Sequence, residues 1–131
     1  MRRVVDRQAV IQDFTEAWNS GDPAIDDFLA PDFRFIGDPM HLGVSLGRIS
    51  IQQMRDEIPG SVRLTIRELI DLDGGRVLTL GMAGLSNERG DYAQQIGWII
   101  TVDDEGRLVS TEGFADHAAA RQAAGVESGP G

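Results

Sequence analysis

FTEAWNSGD, residues 14–22, is the stretch of this chain that says most about its architecture. Within it and just upstream, apolar residues recur at helical spacing with polar residues between them, which predicts an amphipathic helix from about 6 to 19. The run Asn19-Ser20-Gly21 is typical of a helix end. Asp22-Pro23 then predicts a second helix, with Asp as N-cap and Pro at the first helical position. Pro31 ends that helix.

Further along, the apolar period changes at Gly60 from helical spacing to alternation. Before Gly60 we expect a short strand around Phe33 and Phe35, a loop over 37–47 and a third helix over 50–58 that begins with a capping box. After Gly60 we expect a four-strand meander over 62–115 and a closing helix over 118–124. In the first strand of the meander, the alternation of apolar and polar residues shifts by one position between Ile66 and Leu69, which predicts a bulge.

This order of elements predicts an α+β domain. We expect a cone-shaped, curved antiparallel sheet packed on three N-terminal helices, which is a cystatin-like α+β barrel. Side chains cannot fill such a cone near its mouth, so it should enclose an apolar pocket. Residues 1–124 should form one domain, and residues 125–131 a flexible tail.

Composition excludes several kinds of chemistry. The 131 residues contain no cysteine and two histidines, and the twelve basic residues are all arginine. Thiolate metal sites and Schiff-base lysines are therefore excluded, and we predict neither metal nor cofactor. The net charge of −9 argues against nucleic acid or an anionic membrane as a partner. No signal peptide or membrane span is recognisable, so we expect a cytoplasmic protein.

Three stretches of the sequence resemble the nuclear-transport-factor-like and SnoaL-like superfamily. They are residues 14–22, the Gly47-Arg48 entry to the third helix, and the last strand from Gly106-Arg107-Leu108-Val109 to Phe114-Ala115-Asp116. The superfamily includes polyketide cyclases, ketosteroid isomerases, limonene epoxide hydrolases, dehydratases and binding-only domains. The resemblance therefore implies the cone fold, an apolar small-molecule ligand and a homodimer through the sheet, but no particular reaction.

The resemblance to ketosteroid isomerases is partial. Asp38-Pro39 matches the loop that carries their general base (a family that is a standard example of pKa tuning), although Asp-Pro also commonly begins a turn. Their oxyanion-hole tyrosine corresponds to Phe14, and their protonated aspartic acid falls at or beside Trp98. Since losing one oxyanion donor typically costs a factor of about 10² or more, efficient isomerisation of that design is not expected.

Two further comparisons concern the sheet. The Arg and Asp of limonene epoxide hydrolases correspond to Gly81 and Ala83, which are neutral. Gly81, Ala83 and Gly97 either leave room for a flat ligand or permit close backbone packing.

Acidic and imidazole groups supply the candidates for catalysis. SnoaL-like cyclases use an acidic residue near the last strand, where this chain has Glu112 and Asp116. Asp116 is expected to cap the closing helix. Glu112 is a candidate if the Leu108 side of its strand faces inward, and a solvated residue if it does not. His41 lies in the same loop as Asp38 and can act as acid or base near neutral pH, or be an exposed histidine without a role.

We therefore predict a SnoaL-like pocket protein that performs cyclase, isomerase or dehydratase chemistry on an apolar, carbonyl-bearing small molecule. Its catalytic residues are Asp38, His41 and Glu112. The alternative is a non-catalytic binding or dimerisation module with the same fold. In either case the predicted ligand-contacting residues are Phe14, Trp18, Phe35, Met54, Ala83, Tyr92 and Trp98.

Overall fold

A computed structural model describes residues 5–36 and 61–126 of the chain. These residues form an α+β fold with two α-helices and a five-stranded sheet. The elements are α1 (Arg7–Ser20), β1 (Leu29–Ile36), β2 (Ser61–Asp71), β3 (Arg76–Asn87), β4 (Gly90–Val102), β5 (Leu108–Phe114) and α2 (His117–Ala124), with 3-10 turns at Ile25–Phe28 and Asp73–Gly75. The predicted third helix over 50–58 lies outside the described residues.

Helix α1 begins and ends where the sequence predicts. Asp6 caps its N-terminus by accepting a hydrogen bond from the backbone N–H of Ala9 at 3.1 Å. Gly21 ends it in the left-handed conformation, at φ +73°, and its N–H bonds the last carbonyls of the helix. Such a C-cap is favourable for glycine because glycine has no Cβ.

The second helix predicted after Asp22 is wrong. The side chain of Asp22 accepts a hydrogen bond from the N–H of Ala24, two residues further along the chain. This contact forms a turn and not a helix cap. Only one 3-10 turn follows, and Leu29, which the predicted helix would include, already pairs with Leu108 of β5. Strand β1 therefore starts earlier than the alternation of Phe33 and Phe35 indicates, because pairing with a distant strand outweighs the local helix signal.

The sheet has the order β1-β5-β4-β3-β2. Strands β2 to β5 form the predicted antiparallel meander, but β1 joins β5 in parallel. The sheet is therefore mixed and not purely antiparallel, since an alternating pattern gives no partner for an isolated strand. The predicted bulge in β2 is confirmed by a register shift between Ile66 and Glu68.

The sheet buries both of its faces. One, which we call the α1 face, packs against α1 and contributes the larger core cluster, with buried residues Val77, Ile100, Val102 and Leu108. The other, the α2 face, packs Leu78, Leu80 and Ile99 around Ala120 of α2. Successive residues of a strand point to opposite faces, so most of β3 and the second half of β4 are buried on both sides.

Helix α2 confirms the predicted closing helix and its cap. The side chain of Asp116 accepts from the N–H of Ala119 at 2.7 Å. Arg121 pairs with Glu68 at the β2 bulge, with 2.6 Å between nitrogen and oxygen. Nε2 of His117 lies 2.8 Å from the carbonyl oxygen of Gly81, to which it donates. Within the described residues no helix is long and apolar enough to cross a bilayer.

Candidate functional site

The C-terminal turn of α1 is hydrogen-bonded to the backbone of β2, on the side of the strand that does not pair with β3. Nε1 of Trp18 donates to the carbonyl oxygen of Val62 at 2.8 Å. The amide of Asn19 donates to the carbonyl oxygen of Leu64 at 2.7 Å and accepts from the N–H of Leu64 at 2.8 Å. Asn19 thus satisfies both backbone groups that another strand would otherwise pair with. This part of residues 14–22 therefore positions α1 across the sheet.

The predicted aromatic residues near α1 lie in one apolar cluster. Phe14 and Trp18 are buried in it, and each is 8% exposed. The ring of Phe14 contacts Phe28 edge-on, with 5.9 Å between centroids. Phe35 is only partly buried, packs against the same cluster and stands perpendicular to Phe33 at 4.8 Å. These side chains form an apolar wall between α1 and the sheet.

A second apolar cluster continues the α1 face toward the β3–β4 hairpin. Ala83, Leu85 and Ile96 are its buried members. Trp98 is partly buried and packs against both clusters, so it lies at their junction. Tyr92 pairs with Leu85 at the far end and is 52% exposed. The apolar side chains of this face are thus buried near α1 and exposed to solvent at Tyr92.

Few polar groups interrupt this apolar face. Thr79 and Thr111 are 1% and 5% exposed. Their hydroxyl oxygens are inaccessible to solvent and have no hydrogen-bond partner among the described residues. Thr79 lies directly beside Trp98 in the register of β3 and β4. Buried hydroxyls normally find a partner. These two polar groups are the ones that sequence reasoning missed, because burial of both faces of β3 does not reveal whether a hydroxyl is bonded.

Asp38, His41 and Met54 lie outside the described residues. Glu112 lies on the α2 face, where it pairs with Ile99, whereas Thr111 pairs with Ile100 of the α1 cluster. The predicted alternation puts Leu108 and Glu112 on one side, which is wrong. A register shift at the start of β5 pairs Leu108 with Val102 but Ser110 with Thr101, so the side-chain direction changes between them.

The glycines of the central strands serve packing. A Cβ at Gly81 would clash with the backbone carbonyl of Thr65, next to the bulge of β2. A Cβ at Gly97 would lie 2.5 Å from Cβ of Ala120, so Gly97 lets α2 approach the sheet. Gly81 and Gly97 are therefore explained by close packing. Of the three small residues considered for a flat ligand, this leaves Ala83 on the apolar α1 face as the candidate.

Two surface grooves of about 380 Å³ each lie outside this apolar face. One runs along the outer side of α1 and the start of β2, and the other lies at the beginning of α1. Of the predicted ligand-contacting residues that the structure describes, none lines either groove. Across residues 5–36 and 61–126, no group of three or more His, Asp or Glu side chains is arranged to hold a metal ion.

No family model and no curated protein matches the sequence. The fold, however, matches several solved structures over nearly their whole length. An NTF2-like protein of unknown function from Burkholderia pseudomallei has a TM-score of 0.70 at 23% identity, covering 92% of this chain and 98% of its own. The chain has the NTF2-like fold.

Two other proteins with the NTF2-like fold come with a described ligand or reaction. TerC, crystallised with polyporic acid, has a TM-score of 0.70 at 22% identity, covering 88% of this chain and 95% of its own. SalBIII, an epoxide hydrolase/cyclase-like enzyme in pyran ring formation in the polyether salinomycin, has a TM-score of 0.69 at 21% identity, covering 82% of this chain and 88% of its own. At this level of identity the likeness establishes the fold.

Proposed function

We propose that this protein binds an apolar, carbonyl-bearing small molecule against the α1 face of its sheet and performs acid–base chemistry on it, of the cyclase, isomerase or dehydratase type. The observation that carries the proposal is a continuous apolar layer from Phe14 to Ala83 that is buried along most of its length, with the partly buried Trp98 at its centre and the exposed Tyr92 at its open end. An apolar surface with a few polar groups is the usual composition of a small-molecule site.

The structural relatives support a ligand of this kind. TerC is crystallised with polyporic acid, and SalBIII acts in pyran ring formation. We assign general acid–base roles to Asp38 and His41, because a carboxylate and an imidazole next to an apolar ligand can transfer protons near neutral pH. Glu112 was the third candidate, and its position on the α2 face makes it the weakest of the three.

A second candidate function is binding without catalysis. The residues of β3 and β4 that alternate onto the α1 face, from Thr79 to Leu85 and from Tyr92 to Trp98, include no carboxylate and no imidazole. The proposed catalysis therefore depends on Asp38 and His41, and without a contribution from these two residues the α1 face would only bind.

Binding is tested with polyporic acid as the probe, by calorimetric titration. Ala83→Leu enlarges a side chain in the middle of the α1 face and should weaken binding at least tenfold, since overpacking removes the space for a ligand. The matched control is Ala123→Leu, which adds the same atoms at an exposed position of α2 and should bind like the wild type. Circular dichroism verifies that both variants are folded. Equal affinity for the wild type and Ala83→Leu would contradict a site on this face.

Catalysis is tested by proton exchange on a simple ketone, 2-acetylnaphthalene in D₂O, followed by proton NMR. Acid–base chemistry beside the bound carbonyl should accelerate exchange of the methyl protons. Asp38→Asn and His41→Gln should each slow it by about 10² or more, whereas Glu112→Gln should leave it unchanged. Binding without acceleration by the wild type would favour the binding module over the enzyme.

We also propose that the protein pairs as a homodimer through the sheet and that neither nucleic acid nor membrane is a partner. The net charge of −9 supports the second part. On the α2 face, Ala93 and Gln95 of β4 are exposed, and Gln95 lies next to the start of α2, where it accepts from the N–H of His117. Sedimentation at micromolar concentration should give twice the monomer mass, and a monomer alone would rule out this assembly.

A further inference from the structure

The two tryptophans of the α1 cluster differ in the state of their indole N–H. Trp18 donates to the carbonyl oxygen of Val62. Within the described part of the chain, Nε1 of Trp98 makes no hydrogen bond, although this side chain is partly buried between two apolar clusters. A tryptophan N–H in such surroundings usually has a partner. The donor of Trp98 thus has no protein partner within residues 5–36 and 61–126.

The neighbouring hydroxyls of Thr79 and Thr111 also lack a hydrogen-bond partner among the described residues, but they are fully buried. Nε1 of Trp98 is not fully buried. Of these polar groups, the indole N–H is therefore the one that a ligand on this face can contact.

We infer that the indole N–H of Trp98 is the hydrogen-bond donor that recognises the carbonyl oxygen of the ligand. This inference rests on the proposed function and adds a specificity-determining residue to it. Trp98 supplies an apolar ring for the body of the ligand and one directional donor for its oxygen. Because one buried donor would otherwise lose its hydrogen bond to water, the site should favour a ligand with a carbonyl over one without it.

The test compares 2-acetylnaphthalene with 2-ethylnaphthalene, which differ in a carbonyl group against a methylene. Affinities are measured by displacement of the fluorescent dye anilinonaphthalenesulfonate. The wild type should bind the ketone about two- to tenfold more tightly than the hydrocarbon, as expected for one neutral hydrogen bond. Trp98→Phe should bind both probes with equal affinity.

Two matched controls separate recognition from stability. Trp18→Phe removes the bonded indole N–H and should lower stability. It should change the affinity for both probes by the same factor, and so keep the preference for the ketone. Thr79→Val removes a sealed hydroxyl beside Trp98 and should also keep it. A preference retained in Trp98→Phe, or absent from the wild type, would overturn the role of Trp98 and leave the proposed function standing. If neither naphthalene bound to the wild type, both would fall.

Discussion

Replacing Asn19 by alanine should destabilise the protein by about 1–3 kcal/mol. The change removes two part-buried hydrogen bonds, at 2.7 and 2.8 Å, and leaves the N–H and the carbonyl of Leu64 without this partner. Each such bond contributes about 0.5–1.5 kcal/mol net, and exposure of the β2 edge to water limits the loss. Ser20→Ala is the matched control, because the hydroxyl of Ser20 makes one longer bond, 3.3 Å, to Ala17. It should cost less than about 0.5 kcal/mol.

Urea denaturation gives the free energy of unfolding of both variants, and amide hydrogen exchange gives a local readout. In Asn19→Ala the amide of Leu64 should exchange faster than in the wild type by more than the change in global stability explains. The uncovered strand edge should also increase aggregation, measured by light scattering, because unpaired edges invite pairing with another chain. An unchanged exchange rate at Leu64 would refute the idea that Asn19 protects this edge.

Three further changes test the packing described above. Gly97→Ala should lower the free energy of unfolding by about 1–3 kcal/mol, because the added methyl group overpacks against α2. Ala120→Gly in the same chain should recover part of this loss. If urea unfolding of the two single variants and the double variant gave additive losses, the contact between residues 97 and 120 would be contradicted. Thr79→Val should raise the free energy of unfolding by about 1 kcal/mol, because it removes a buried hydroxyl without a partner, and a lower melting temperature would mean that the hydroxyl is bonded. Asp116→Ala should cost about 0.5–2 kcal/mol through loss of the helix cap, and equal thermal stability would exclude that role.

Features with a local cause could be predicted from the sequence. Gly21 ends α1 because only a left-handed residue closes the helix there, and Asp116 caps α2 through a side chain that reaches three residues ahead. The bulge after Ile66 appears as a loss of alternation within a few residues. The meander follows because each turn joins neighbouring strands.

Features that depend on distant partners could not be predicted. Leu29 has the pattern of a helix but pairs with β5, and Asn19 reads as a helix end although its amide bonds Leu64. Simple alternation predicts that Glu112 and Leu108 point to the same face of the sheet. The register shift between them puts Glu112 on the opposite face. In the candidate site, the apolar residues were recognisable from their spacing. The unused N–H of Trp98 was not, because hydrogen bonding depends on which acceptors the fold brings near.

The parallel pairing of β1 with β5 has a consequence for how the chain is made. The two strands come from opposite ends of the sequence, whereas each hairpin of the meander joins neighbours. During synthesis, α1 and β1 leave the ribosome before the strand that completes β1, and β2 to β4 emerge in between. The apolar side of α1 must therefore wait until the meander has been made. Shielding of this early segment by a chaperone would then affect the yield of folded protein more than its final stability.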